Sequence, residues 1–349
     1  MVVKPTIDEV ARLAGVSTST VSRSLSGAGR VGAETTRRVK EVAQQLGYAV
    51  SPSASRLATG RTDSIAVVMP FIDRWFFAEI LAGVEVALRG TGYDLLLYNV
   101  KDTESRKEYF SSGLLRKRVD GVVLVTLAVT KPEVRALRAL SIPVGIVGAR
   151  VNGFHSVLIN DREAAAGAIR HLINLGHERI AIISSDPDRE MHFTVPVERR
   201  AGYLDALRAA GITPDPQLEV HADYGVEGGE KAATQLLGGS SLPTAVFAES
   251  DELAFGALRA FRRFGIQVPE EISVVGFDNH PMAEYFDLTT VAQQVRAQGL
   301  NIACQVLDAL VSPAKRGASQ LEAVTELVAR ATTSVPRPKA RPRRGKDHK

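Results

Sequence analysis

A run of hydrogen-bonding side chains with a single cation lies near the start of the chain. Between Thr18 and Arg23 the only apolar residue is Val21, four positions before Leu25. If this segment is a helix, Val21 and Leu25 face inward and the opposite face carries only donors and acceptors. Such a face suits base edges and phosphates in the major groove of DNA. A helical hairpin whose polar face is merely solvated is the alternative. The outward residues are Thr18, Ser19, Ser22 and Arg23.

Two short helices joined by a tight turn are predicted to carry this face. Thr6 and Glu9 have the T-x-x-E spacing of a capping box, so a first helix should start directly after Thr6. Gly15 suits the left-handed residue that ends a helix, and Ser17 can cap a second helix over about 18–25.

A glycine pattern and a third predicted helix follow. Gly27, Gly29 and Gly32 satisfy G-x-G-x-x-G, but no strand precedes them and no acidic residue follows at about 20 positions. A nucleotide-binding loop is therefore excluded. The third helix is predicted from about Ala33 to Leu46.

These segments together resemble a known DNA-binding domain. AGVSTSTVSRSL and the following RVGAETTRRVKEVAQQLGYAVSPSASRLATGRT are similar to the head of the lactose/galactose-repressor family of bacterial transcription regulators. The resemblance covers essentially the whole chain. It implies a helix-turn-helix head that reads bases of operator DNA with Thr18, Ser19 and Arg23. The residues expected mostly to hold phosphates are Thr6, Ser17, Ser22, Arg30 and Thr35.

Residues 51–62 are predicted to be a hinge. Pro52 sits at the first position of a short helix, and a helix of about eight residues is too short to be stable alone in water. The segment should therefore become ordered only with a partner. The family resemblance implies a hinge helix that folds on DNA, with Ala54 and Leu57 at its minor-groove positions. A passive linker is the alternative.

From residue 63 onward, short apolar runs alternate with helical patterns. Such alternation indicates βαβ units and parallel sheets, and a break near Asn160 indicates two similar halves with a cleft between them. HLINLGHERIAII, PTAVFAESDELAFGAL, VPEEISVVGFDN and LTTVAQQ resemble the periplasmic-binding-protein-like core of the same family. The predicted fold class is α/β, with an all-α head and hinge helix followed by a core of two doubly wound parallel-sheet subdomains. The predicted domains are a head over 5–50, a hinge over 51–62, an effector-binding and dimerisation core over 63–335 with crossings near 160 and 290, and a basic disordered tail over 336–349.

Ligands of doubly wound sheets bind beyond the carboxyl ends of the strands. Trp75, Phe76 and Phe77 follow the first strand of the core, and three consecutive aromatic residues cannot all face inward. Some of these rings should therefore face the cleft.

The family resemblance also assigns residues in the cleft. It implies that Arg199 clamps a small effector and that Asp278 accepts hydrogen bonds from it or pairs with Arg199. Asp251 is interpreted as the N-cap of the helix ELAFGAL. Gly148 replaces an aspartate that some sugar-binding members carry, which leaves a carbohydrate effector open. The remaining predicted effector contacts are Phe76, Phe77, Tyr224 and Ser250.

Charge and composition fit this organisation. The net charge is +4, but residues 1–62 hold 9 Lys and Arg against 4 acids, whereas residues 63–334 hold 27 against 34. A basic head on an acidic body is typical of a chain that binds phosphates at one end only. The single cysteine, Cys304, is expected in the core and permits no internal disulfide. The absence of a signal-like or membrane-spanning apolar stretch predicts a cytoplasmic protein without a membrane partner.

The sequence contains no recognised catalytic motif. The chain lacks G-x-S-x-G, P-loop and H-E-x-x-H patterns, and its histidines have no metal-ligand spacing, so neither a cofactor nor a metal is expected. The predicted function is a homodimeric transcriptional regulator, most consistent with a repressor, controlled by a sugar or similar metabolite. A metabolite-binding or Rossmann-type enzyme domain fused to a DNA-binding head is the alternative.

Overall fold

The computed structural model describes residues 5–26, 31–48, 61–111, 113, 115–185, 193–239, 242–312 and 317–337. The chain divides into two compact units. One comprises Met1–Ser64 with Lys117–Asp120, and the other comprises Ile65–Arg116 with Gly121–Lys349.

The described part of the N-terminal unit contains three short helices, α1 (Ile7–Ala14), α2 (Thr18–Ser26) and α3 (Ala33–Leu46). Thr6 and Glu9 form the predicted capping box, each side chain meeting the backbone N–H of the other residue. Gly15 and Gly47 end α1 and α3 with φ of 65° and 64°, a conformation that glycine adopts without steric cost. The shared core consists of Val10, Ala11, Ala14, Val21, Val39 and Ala43.

The first half of the second unit alternates strands and helices, as the sequence predicts. The elements are β1 (Ser64–Met69), α4 (Trp75–Leu88), β2 (Asp94–Asn99), α5 (Thr103–Ser111), β3 (Gly121–Val125), α6 (Lys131–Ala139), β4 (Val144–Val147) and β5 (His155–Leu158). Three of the strands, β1, β3 and β4, are buried along their whole length and almost entirely apolar, which is typical of a sheet covered on both faces.

The second half repeats the pattern. Its elements are α7 (Asp161–Asn174), β6 (Ile180–Ser185), α8 (Thr194–Ala209), a 3-10 turn (Pro216–Leu218), β7 (Glu219–Ala222), α9 (Val226–Leu237), β8 (Ala245–Ala248), α10 (Asp251–Arg263), β9 (Ser273–Asp278), α11 (Met282–Tyr285) and β10 (Thr289–Gln293). The chain then continues through α12 (Val295–Val311), β11 (Gln320–Glu322) and β12 (Thr325–Val328).

Two six-stranded sheets result, with strand orders β11-β5-β4-β3-β1-β2 and β12-β10-β9-β8-β6-β7. All neighbouring strands with an assigned register run parallel, except β12, which pairs antiparallel with β10. The predicted α/β class with two doubly wound sheets is confirmed.

The chain passes between the two halves three times. It leaves the first half after β5, returns through α12, and crosses once more in the two residues between β11 and β12. Helix α12 packs so closely on α4 that neither contact glycine has room for a side chain. A Cβ on Gly83 would collide with the Arg296 carbonyl, and a Cβ on Gly299 would collide with the Ile80 carbonyl. The crossing between β11 and β12 is not part of the sequence-based prediction.

Candidate functional site

The outer face of α2 carries the polar residues predicted to read DNA. Thr18, Ser19 and Arg23 are exposed and Ser22 is half-buried, whereas Val21 is fully buried. The Arg23 guanidinium donates to the Ser19 carbonyl at 3.2 Å and lies 3.4 Å from its hydroxyl. Arg23 is therefore held along the helix face, with its planar fork at the surface.

The other predicted DNA contacts lie around this face. Thr6 is exposed at the start of α1 and Thr35 is half-buried in the first turn of α3. Ser17 is exposed, and its hydroxyl accepts from the Thr20 N–H at 3.2 Å, as expected of a cap. Arg30, Ala54 and Leu57 lie outside the described residues.

A cavity in the second unit collects the residues predicted to bind an effector. Its lining side chains come from the carboxyl ends of strands in both halves, where ligands of such sheets bind. Every predicted effector residue is among them. The cavity is lined by Phe71, Arg74, Phe76, Phe77, Thr126, Phe193, Val195, Arg199, Tyr224, Glu249, Ser250, Glu252 and Asp278.

Aromatic rings from both halves meet in this cavity. Phe71, after β1, lies 5.5 Å from Phe77 and 5.5 Å from Tyr224 between ring centroids. Phe193, the residue before α8, lies 5.8 Å from Phe71. Sequence reasoning missed Phe71 and Phe193, although Phe71 lies two residues after the first strand of the core. Trp75 points elsewhere and packs on His280 at 4.8 Å.

The polar part of the cavity is built around Arg199. This side chain is 5% exposed and its guanidinium lies 3.5 Å from the centre of the Phe277 ring. It donates to Asp161 at 2.8 Å and to the Glu249 carbonyl, and it lies 3.8 Å from Asp278. Arg199 and Asp278 thus come together as the sequence predicts, with Asp161 as an additional partner.

Asp278 is held in place by its backbone and by one amide. Its φ of 113° is rare for residues other than glycine and costs on the order of 1–3 kcal/mol. Gln293 donates to its carboxylate at 2.6 Å, and Gln298 in turn donates to Gln293 at 3.0 Å. Such strained, supported positions are concentrated at functional sites.

Two cavity carboxyl groups have strongly shifted pKa values. Burial raises the pKa of Asp278 to about 7, although the charge of Arg199 and the Gln293 hydrogen bond oppose the shift. Burial likewise raises the pKa of Glu249 to about 7, against hydrogen bonds from Ser185 and the charge of Arg199. Near neutral pH, each of these groups is therefore divided between its neutral and ionised forms.

The turn between β8 and α10 corrects one prediction. Ser250, not Asp251, caps α10: its backbone is extended and its hydroxyl accepts from the Leu253 N–H at 3.3 Å. Asp251 instead turns inward and accepts from the Thr290 hydroxyl at 2.6 Å and the His280 N–H at 2.7 Å. An N-cap must have non-helical backbone, which Asp251, already inside the helix, lacks.

The cavity is small as it stands. Its volume is about 100 Å³, whereas sites for small molecules typically measure about 300–1,000 Å³. Gly148, which has φ of 82° and borders Thr126, has no side chain. The position therefore lacks the aspartate carboxylate expected in some sugar-binding members of the family. A ring-sized ligand would therefore require the aromatic side chains to separate.

The described residues give little support for a metal site. They contain no group of three or more metal-capable side chains. His177 is buried and satisfied, with its ring nitrogens 2.9 Å from Thr244 Oγ1 and 2.8 Å from the Ser334 carbonyl. Cys304 is exposed, so its predicted place in the core was wrong. No described helix combines the length and apolar character needed to cross a membrane.

Sequence comparisons identify two matching families. The model of bacterial regulatory proteins, lacI family, matches residues 6–51, and that of the periplasmic binding protein-like domain matches residues 169–333. The HTH-type transcriptional repressor CytR of Escherichia coli (strain K12) is 34% identical over 82% of this chain and 84% of its own length. The HTH-type transcriptional repressor PurR of Vibrio atlanticus is 35% identical over 85% and 89%.

Solved structures agree. The lac repressor dimer bound to operator and the anti-inducer ONPF matches with a TM-score of 0.83 and 26% identity, covering 95% of this chain and all of that one. The transcriptional regulator CelR in complex with cellobiose matches with a TM-score of 0.69 and 31% identity, over 94% and 99%.

The fold and the two matches define a helix-turn-helix head joined to a periplasmic-binding-protein-like core. The chain belongs to the lacI family of bacterial regulatory proteins. The relatives CytR and PurR are named as HTH-type transcriptional repressors.

Proposed function

We propose that this protein is a homodimeric transcriptional repressor whose affinity for operator DNA is set by a small metabolite bound in the cavity of the core. The observation that carries the proposal is the meeting of Arg199, Asp278 and aromatic rings from both halves of the core in one cavity. A site divided between two halves can be closed by a ligand, and closure is a common way to switch a protein between states.

The exposed face of α2 supports DNA reading. Arg23 presents a planar, permanently charged fork that suits guanine edges, and Thr18 and Ser19 present hydroxyls that suit any base. Thr6, Ser17, Ser22 and Thr35, all at least partly accessible, suit phosphates. Within the proposal, residues 51–62 link the head to the core and become ordered on the operator.

The cavity supports a small effector with a ring. Phe71, Phe77, Phe193 and Tyr224 offer ring faces and edges, and Arg199 with Asp278 offers a donor and an acceptor. Sugars and nucleoside-like compounds both have the required ring and polar edge. The cellobiose complex of CelR is consistent with a sugar.

An exposed apolar patch on α11 and an exposed leucine on an edge strand of the core support dimerisation. Leu97 is 41% exposed on β2, an edge strand, and Tyr285 is 80% exposed on α11 beside the exposed Met282 and Phe286. Exposed apolar patches of this kind mark interfaces, and a stable one buries about 1,200–2,000 Å². We propose a second copy of this chain as the occupant. A two-fold dimer would also place two heads on two half-sites.

Sedimentation tests the dimer. Tyr285→Asp and Leu97→Asp should shift the full-length protein from dimer toward monomer at micromolar concentration. Val197→Asp, at a 49% exposed apolar position on α8, is the matched control. Unchanged mass in both interface variants would contradict the assignment of these faces.

Binding-site selection followed by a ligand screen tests the function itself. The wild-type protein should select a near-palindromic site, and one class of metabolite should both raise its melting temperature and change its affinity for that site. Selection of no common sequence, or turnover of the bound metabolite, would instead favour the fused-enzyme alternative.

A further inference from the structure

Unpaired polar atoms are concentrated in the effector cavity. Among the described residues, seven buried side-chain atoms have no hydrogen-bond partner. Three of them, Arg74 Nε, Thr126 Oγ1 and Glu249 Oε2, belong to side chains that line this one cavity. Buried polar groups are nearly always hydrogen-bonded, and leaving one unpaired costs about 1–3 kcal/mol. Their concentration here indicates partners that a ligand supplies.

Glu249 is the most informative of the three. It directly follows β8 and is 3% exposed. Its Oε1 accepts from the Ser185 backbone N–H at 2.6 Å, which fixes the carboxyl group, while Oε2 has no partner. The structural hydrogen bond thus uses one oxygen and leaves the other for the cavity.

The charges around Glu249 favour one class of ligand. Two cations line the cavity among the described residues. Arg199 already faces Asp161 and Asp278, and Arg74 lies 4.0 Å from Glu252. Three carboxyl groups line the cavity against these two guanidinium groups. Above pH 7, where Glu249 and Asp278 are mostly ionised, a phosphate or carboxylate would therefore meet a net negative charge. A ligand donor without negative charge would instead complete the hydrogen bonding of Glu249 Oε2, whereas Arg74 Nε, itself a donor, would take an acceptor from the ligand.

We propose that Glu249 is an effector-binding residue and that the effector is an uncharged or cationic ring compound that donates an N–H or O–H to Glu249 Oε2. The inference rests on the proposed role of the cavity as the effector site. The aromatic side chains hold the ring, and Glu249 selects donors over acceptors at one of its edges. Phosphate esters and carboxylates are selected against.

The test uses the full-length protein at pH 8, where Glu249 is mostly ionised, and matched probes. D-Glucose, D-ribose, cellobiose and adenosine form the uncharged set, D-glucosamine the cationic member, and glucose 6-phosphate, ribose 5-phosphate and AMP the anionic set. At least one uncharged or cationic probe should raise the melting temperature of the wild type, and each phosphate ester should bind more weakly than its parent. This comparison needs no variant. The proposal is overturned if only the phosphate esters bind, or if no uncharged or cationic probe binds.

Glu249→Gln then isolates the residue. Its amide oxygen can still accept from Ser185, whereas its NH2 presents a donor where the cavity had an acceptor. Calorimetry should show at least a tenfold loss of affinity for the best probe, with the ligand-free melting temperature kept or raised. Glu219→Gln, which alters a carboxylate paired with Arg200 away from the cavity, should keep the affinity.

Wild-type affinity of this variant for the probe overturns the role of Glu249. A ligand-free melting temperature that also falls by several degrees would then mark Glu249 as a purely structural group. Neither calorimetry nor melting uses DNA, so both test the role of Glu249 independently of the proposed control of DNA binding. A probe that binds through Glu249 but leaves operator affinity unchanged would overturn only the control of DNA binding.

Discussion

Replacing Arg199 with alanine should destabilise the core as well as remove its effector anchor. The guanidinium is 5% exposed, donates to Asp161 at 2.8 Å and lies 3.8 Å from Asp278. Removing one partner of a buried ion pair costs about 3–5 kcal/mol, because the other charge is left without compensation. In a domain of this size, that loss lowers the melting temperature by roughly 10 °C.

The pH dependence of this loss gives a sharper signature. Burial places the pKa of Asp278 and of Glu249 at about 7. At pH 5.5 both groups are mostly neutral, so removing Arg199 leaves less uncompensated charge than at pH 8. The decrease in the free energy of unfolding should therefore be larger at pH 8.

Urea unfolding of full-length Arg199→Ala at the two pH values measures this difference. Arg208→Ala is the matched control, because its side chain is 63% exposed and lies 4.0 Å from Asp205 at the surface of the same helix. A surface pair of this kind contributes at most about 1 kcal/mol. Equal losses for the two variants, or a loss at Arg199 that does not vary with pH, would refute the assignment of a buried charge cluster.

Three further predictions concern the head, the hinge and the cavity acids. Arg23→Ala should lose about 1–3 kcal/mol of discrimination at one base pair of each half-site; an unchanged preference in binding-site selection contradicts base reading by Arg23. Leu57→Ala should weaken operator binding more than binding to random DNA, as measured by fluorescence anisotropy, because a wedge acts only on the specific site; equal losses leave residues 51–62 a passive linker. The ligand-free core should lose stability as pH rises from 5 to 8, because Glu249 and Asp278 have pKa values of about 7 when folded but ordinary low values when unfolded, so the folded state alone holds their protons in that window. Urea unfolding of Glu249→Gln should give a flatter pH profile, and an unchanged slope would contradict the raised pKa of Glu249.

The head could be predicted closely because its signals are local. The capping box at Thr6 and the glycines at 15 and 47 set α1 and α3 to the residue. Within a few residues of chain, such signals specify backbone conformation without reference to the rest of the fold. The short apolar runs that alternate with helical patterns from residue 63 onward also correspond to β1 to β9.

The last strands could not be located in the same way. β10 is embedded in the polar segment LTTVAQQ, and β11 is exposed along its whole length, so neither has the apolar run that marks a buried strand. β12 runs antiparallel at a sheet edge, where only half of the residues need be apolar. The third crossing between the halves depends on these strands and was therefore missed.

The cavity illustrates the same limit. Arg199, Asp278 and the aromatic pair Phe76 and Phe77 were predicted because they match family positions or stand out in number. Glu249 ends an apolar run and resembles an ordinary strand-end acid, and its free oxygen becomes visible only once Ser185 is placed beside it. Its significance depends on contacts between residues 64 positions apart.

The most direct test of effector control is the affinity of the full-length protein for its selected operator, measured by fluorescence anisotropy with and without a saturating probe that binds the cavity. Control through the cleft predicts a saturable change in Kd of about 5- to 150-fold in one direction. By linkage, the operator should change the affinity for the probe by the same factor. An operator Kd that is identical with and without the bound probe would contradict the account.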